Sequence, residues 1–178
     1  MRKGLVLALA FALIVVGSPA LADKSTFGDR NDTRGRLDMK RFTHGHAGSG
    51  AVVHTITMFK GFPSRLLKAP SPPKKQLKPN TVWFFFDTNR DNRAERAVAV
   101  RWNRGKLRAV VTNQNGRVFG HGKVTRPNRR TVKVEVGHGP LGRRRFRPYR
   151  WWPNTYYRGS DVCRRKCSDT VGSARLHD

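Results

Sequence analysis

The sequence predicts an all-β protein, an antiparallel β-sandwich of jelly-roll-like form, folded as a single domain behind a secretory signal peptide. Three observations carry this. Beyond residue 36, short β-branched or aromatic runs recur at regular spacing; segments of hairpin-turn composition separate them; and no helical periodicity runs through the same region. A barrel of the oligonucleotide-binding type is the competing architecture. The chain has no internal repeat.

Arg2 and Lys3 precede an apolar run from Leu5 to Val16, which ends in Gly17-Ser18-Pro19 and then Ala20-Leu21-Ala22. That order of charge, apolar core and small residues is the layout of a signal peptide, with cleavage expected before Asp23. The run is shorter than the roughly 20 residues that a spanning helix requires. No cysteine follows the small residues to take a lipid, and no later run reaches spanning length. The expected product is secreted, extracellular and without a membrane span. Residues 23–36 are polar and rich in turn formers.

Strands are expected at Leu37 to His46 and Ala51 to Lys60, joined by Ala47-Gly48-Ser49-Gly50. Pairing 46 with 51 sets Met39 opposite Met58 and Arg41 opposite Ile56, and gives an apolar face of Leu37, Met39, Ile56 and Met58. In that register His54 is buried, while His44 and His46 point to the other side. Residues 61–80 carry Pro63, Pro70, Pro72, Pro73 and Pro79 among lysines, a surface connection in which neither a helix interior nor a central strand can form. Further strands follow at Thr81 to Asp87, Glu95 to Trp102, Lys106 to Thr112, Arg117 to Val124 and Thr131 to Val136. Asn103-Arg104-Gly105 and Asn113-Gln114-Asn115-Gly116 supply hairpin turns. The domain is expected to close at residue 152, leaving 153–178 as a tail.

Loss of residues 1–22 removes two of 37 basic residues and none of 11 acidic ones, leaving +24 over 156 residues. A chain so charged is drawn to polyanions by counterion release, which predicts affinity for an anionic polymer or polysaccharide and non-specific affinity for nucleic acid. Arginine outnumbers lysine, 25 to 12. This excess suits bidentate pairing with phosphate or carboxylate, and a genomic codon bias produces the same excess. A domain of this size needs no covalent staple. Cys163 and Cys167, in the segment CRRKC, are expected to form one local disulfide in an oxidising compartment, since two thiols do not complete a zinc site.

Oxygen-bearing side chains alternate after the aromatic run Trp83-Phe84-Phe85-Phe86. Asp87, Asn89 and Asp91 hold the first, third and fifth places of a calcium loop, and Glu95 holds the ninth. The sixth place is Asn92 and the twelfth is Val98, so the loop lacks its usual glycine and bidentate glutamate. The same acids are equally placed to neutralise Arg90, Arg93 and Arg96.

The segment Asp29-Arg30-Asn31-Asp32-Thr33-Arg34-Gly35-Arg36-Leu37-Asp38, the strand ending Ile56-Thr57-Met58 and the apolar strand entering Asp87-Thr88-Asn89 together resemble a group of uncharacterised secreted bacterial proteins. Their β-sandwich is similar to family-nine carbohydrate-binding modules and DOMON-like domains, and the resemblance covers residues 29–152. It implies a structural calcium near Asp29, Asp32 and Asp38. It also implies sugar stacking on Trp83, Trp102, Trp151 or Trp152. The heavy basicity and the proline-lysine connection depart from those modules.

The densest positive stretch is Arg143-Arg144-Arg145-Phe146-Arg147-Pro148-Tyr149-Arg150-Trp151-Trp152. Guanidinium groups interleaved with aromatic faces suit a polyanion, so Arg143, Arg144, Arg145, Arg147, Tyr149, Arg150, Trp151 and Trp152 are the expected ligand-binding residues, with Arg126, Arg129 and Arg130 extending the patch. Protection of an edge strand against aggregation predicts the same charges. Enzyme signals are sparse. His44-Gly45-His46 places two imidazoles on one strand face without an evident third ligand, and Ser49 lacks the glycine spacing of a nucleophile elbow. The leading reading is a binding protein for an anionic cell-envelope polymer or polysaccharide. The alternatives are a metal-assisted hydrolase acting on phosphodiesters, built on His44, His46 and a carboxylate, and a purely structural accessory domain.

Overall fold

A computed structural model of the chain describes residues 25–33, 35–68, 80–142, 149–157 and 167–170. The signal segment, most of the proline-lysine connection, Arg143, Arg144, Arg145, Arg147 and Cys163 lie outside the described residues, so the expected disulfide does too.

Among the described residues ten strands form one antiparallel sheet: β1 (Ser25–Gly28), β2 (Met39–His46), β3 (Val52–Met58), β4 (Thr81–Asp87), β5 (Arg96–Asn103), β6 (Lys106–Thr112), β7 (Val118–Thr125), β8 (Thr131–Val136), β9 (Arg150–Tyr157) and β10 (Cys167–Thr170). Their spatial order is β1-β2-β3-β8-β7-β6-β5-β4-β9-β10. The expected all-β antiparallel domain is therefore what the chain forms. Its packed faces belong to one continuous sheet curled into a half-barrel. A 3-10 turn at Ser64–Leu67 and one helical turn, α1 (His138–Leu141), are the described helical pieces.

The curl is made at β7, whose first half pairs with β6 (Val111 opposite Gly120, Ala109 opposite Gly122) and whose second half pairs with β8 (Lys123 opposite Glu135). Glycine permits the crowding at this bend. A Cβ on Gly122 would stand 2.9 Å from Val136 Cγ2 and 3.0 Å from the Glu135 carbonyl oxygen. Gly122→Ala is accordingly expected to destabilise the protein by about 1–3 kcal/mol, measured by denaturant unfolding. An unchanged midpoint would show that the bend relaxes freely.

Folding the two flanks over each other buries Phe42, Val52, Ile56, Met58, Val132 and Val134 against Val82, Phe84, Phe86, Val98, Val100 and Trp151. The Phe42 and Trp151 rings meet edge to face at 5.5 Å. The two ends of the sheet also touch. Thr155 Oγ1 in β9 donates to the Leu37 carbonyl (2.6 Å), and the Met39 amide in β2 donates to Asp169 Oδ2 in β10 (2.7 Å).

The β2-β3 register corrects the sequence reading. Met39 faces Met58 as expected, but from Arg41 onward the pairing is shifted by one, so Arg41 faces Thr57, Phe42 faces Ile56 and His46 faces Val52. Two local causes agree. Ala51 belongs to the turn, where Ala47 N donates to Ala51 O (2.9 Å) and Gly50 adopts φ +77°, and a bulge at Lys40 absorbs the extra residue. A one-residue shift turns every following side chain to the opposite face. Met39 and Phe42 both point inward, and so does His44, which the sequence reading placed on the other side.

Candidate functional site

On the outer face of the β4-β5-β9 flank, side chains alternate with the buried ones. Trp83 and Phe85 project outward from β4 and Trp152 from β9, with Phe85 and Trp152 directly paired. Their rings stack in sequence, Trp83 on Phe85 at 5.8 Å and 13° between planes, and Phe85 on Trp152 at 5.8 Å and 20°. Opposite the β4 aromatics, β5 presents only Ala97 and Ala99. These small residues leave room for a cleft of about 510 Å³, lined also by Arg96, Arg101, Thr112, Asn113, Gln114 and Gly116.

Arg101 is fixed within this cleft. Its Nε donates to Thr81 Oγ1 (3.2 Å), its guanidinium lies 5.2 Å from the Trp83 ring centre, and burial lowers its pKa. Gln114 Nε2 donates to the Ala94 carbonyl (3.1 Å), which braces the opposite wall. Trp83, Ala97 and Ala99 are themselves buried, so the site offers the half-buried Phe85 and Trp152 to apolar ring surfaces and a held guanidinium to an anionic substituent.

The residues expected from sequence divide between this surface and the core. Trp152 lines the cleft; Trp151 and Tyr149 are fully buried, beyond the reach of a polymer. The Arg150 side chain donates to Asn92 Oδ1 at the edge of the Asp87 loop. Of the other tryptophans, Trp83 belongs to the outer stack and Trp102 packs against the core. Arg96, Arg101 and Gln114 were not singled out from sequence. The available signal was the alternation Ala97-Val98-Ala99-Val100-Arg101, whose small outward residues mark a depression beside the aromatics.

The Asp87 loop brings Asp87, Asp91 and Glu95 together, with one oxygen of each within 4.8 Å of the others. Main-chain amides occupy these oxygens. Asp87, fully buried, accepts from Arg90 N and Asn92 N; Asp91 Oδ1 accepts from Arg93 N (2.8 Å), Asn89 Oδ1 from Asp91 N (3.0 Å), and Glu95 Oε2 from Thr88 N (2.6 Å). Such bonds hold Arg90 and Asn92 at φ +70° and +69°. These bonds fix the loop, and a carboxylate oxygen that accepts one amide keeps a second lone pair.

A second acidic group has the opposite character. Asp32, Asp38 and Asp169 also converge within 4.8 Å, bringing the β1-β2 connection to the last described strand. Asp38 is 2 % exposed, and its Oδ1 accepts no hydrogen bond. Burial, with the repulsion of Asp29, Asp38 and Asp32, raises the Asp169 pKa to about 7 against the Met39 hydrogen bond. Burial and Asp32 likewise raise Asp38, with a hydrogen bond from the Thr33 backbone and then Lys60 acting in the opposite sense, and burial raises Asp29.

The histidines gather elsewhere. His44, His46 and His54 lie with Tyr149 and His138, while the three-residue groups that bring metal-ligating His, Cys, Asp or Glu side chains together among the described residues consist of carboxylates alone. The union of His44, His46 and a carboxylate that a hydrolase would use is therefore not formed by the described residues. Compared with family models, curated proteins and solved structures, the chain matches none.

Proposed function

We propose that this is a secreted binding module for an anionic polysaccharide, a polymer of sugar rings bearing carboxylate or sulfate groups, taken up in the outer cleft. The half-buried Phe85 and Trp152, stacked on the outer face over the buried Trp83 and beside the braced Arg101, are the observation that supports it. Aromatic faces without cations favour neutral sugars, and cations without aromatics favour any polyanion. Their combination in one cleft selects a charged ring polymer. The net charge of the chain supplies long-range attraction and the cleft supplies selection.

Salt dependence separates the two contributions. Arg101→Met is expected to weaken binding to polygalacturonate about tenfold and to reduce the slope of log affinity against log salt, because one counterion-releasing contact is lost. Trp152→Phe keeps a ring and should preserve both affinity and slope within a few-fold. Affinity measured at several salt concentrations checks this, and an Arg101→Met protein with unaltered affinity and slope would exclude the cleft.

A second reading concerns the fold and is supported by the unpaired, buried Asp38 Oδ1. Asp32, Asp38 and Asp169 form a calcium site that clasps β10 to the start of β2. Oxygen ligands from separate segments suit calcium, whose coordination tolerates irregular geometry. The ion would neutralise carboxylates that otherwise repel one another inside the protein.

A further inference from the structure

Four of the six histidines form one file through the protein. His138 lies against His46 (ring centres 6.5 Å), His46 against His44 (5.6 Å) and His44 against His54 (5.3 Å). His138 and His46 are partly exposed, whereas His44 and His54 are 3 % and 1 % exposed. The file therefore runs from the surface into the core. It ends among Trp151, whose ring is 4.4 Å from His54, and Phe86 at 4.9 Å.

At its inner end three ligand atoms face one another. Tyr149 Oη is 2.8 Å from His44 Nδ1 and 2.9 Å from His54 Nε2, and the two nitrogens are 3.4 Å apart. Hydrogen bonds account for these contacts when the phenol donates to one imidazole and accepts from the other. The triangle also has the dimensions of a coordination sphere. An ion at the usual 2.0–2.1 Å from each atom sits about 1 Å out of their plane.

We infer that His44 Nδ1, His54 Nε2 and Tyr149 Oη form a binding site for a transition-metal ion of the copper(II) or zinc(II) class. Imidazole nitrogens suit these ions, and a phenolate adds a negative oxygen ligand beside the Phe84, Phe86 and Trp151 rings. Binding leaves the ring proton on His44 Nε2 and on His54 Nδ1, so that both lone pairs face the ion. The phenolic proton passes to solvent, and one proton is released per ion bound. No ligand of the acidic cluster is shared with this site, and the inference stands apart from the polysaccharide reading.

Copper(II) chloride titrated into the chelator-treated mature protein tests this. One equivalent should bind, produce a phenolate-to-copper charge-transfer band in the visible, and raise the thermal midpoint. Tyr149→Phe keeps the buried ring, so it should remain folded by near-ultraviolet circular dichroism while losing the band. His54→Gln should weaken copper binding about 10–100-fold. Asp38→Asn, at the separate acidic cluster, should leave the band intact. A band of equal intensity in Tyr149→Phe, or copper binding without saturation at one equivalent, would overturn the assignment and leave the triad as a hydrogen-bonded element of the core.

Discussion

Trp151→Ala is expected to lower the stability of the fold by about 3–5 kcal/mol, whereas Trp152→Ala, one residue on, should leave stability almost unchanged and weaken polysaccharide binding at least about tenfold. Strand alternation is the cause. Trp151 is 0 % exposed and touches Phe42, His54 and Phe84 where the two flanks of the sheet meet, so its removal opens a large cavity. Trp152 points from the other face of β9 and ends the stacked row of the cleft. Denaturant unfolding and a binding titration on both variants decide the matter. Comparable losses of stability would mean that Trp152 is also structural.

The second large effect is expected from calcium and depends on pH. The Asp169 carboxyl has a pKa of about 7 in the folded protein against an ordinary 3.8. Folding therefore favours its uncharged form. That contribution is complete below the ordinary value and is lost as pH rises through the folded one. In chelator the protein should lose stability between about pH 4 and pH 7. Above that range the carboxylates are ionised and ready for a cation, so calcium should raise the thermal midpoint strongly at pH 8 and little at pH 5. At a thousandfold excess over the dissociation constant the gain is about 4 kcal/mol. Asp38→Asn should stabilise the calcium-free protein and shrink the calcium effect together. Equal calcium shifts at the two pH values, or none, would remove the clasp from the account.

Much of the sheet was legible because its central strands carry their own pattern. β4, β6 and β8 begin and end where β-branched and aromatic runs meet turn residues. β1, β9 and β10 were not legible. Ser25–Gly28 and Cys167–Thr170 are four-residue pieces at the two ends of the sheet, and β9 contains Pro153, which reads as a strand breaker. β1 and β10 each pair with the strand next to them in sequence, β9 is held by pairing with the distant β4, and a side-chain bond from Met39 to Asp169 spans 130 residues. The bulge at Lys40 had no sequence signal, and with the turn at Ala51 it set the inward faces of Phe42 and His44.

The candidate cleft shares Trp152 with the run expected to bind, and Arg143, Arg144, Arg145 and Arg147 of that run lie outside the described residues. Arginines near aromatics were read from the run that ends at Trp152, and of that run Trp152 lines the cleft. Its other aromatics come from β4, and its described arginines from β5. Alternation states that one of Trp151 and Trp152 faces inward, but the choice is set by which face of β9 meets the opposite flank. The acidic cluster was half visible. Asp32 and Asp38 were noticed, but Asp169 lay in a stretch read as tail, and only closure of the half-barrel brings it to them.

The most direct measurement compares the affinity of the mature protein for polygalacturonate oligomers, for their neutral methyl esters and for inorganic polyphosphate, at one salt concentration, with Trp152→Ala in parallel. Selection by both ring faces and charge predicts that the acidic sugar binds more tightly than either comparison ligand and that Trp152→Ala abolishes this preference. Polyphosphate binding as tight as polygalacturonate, unaffected by Trp152→Ala, would contradict the account and reduce the interaction to charge alone.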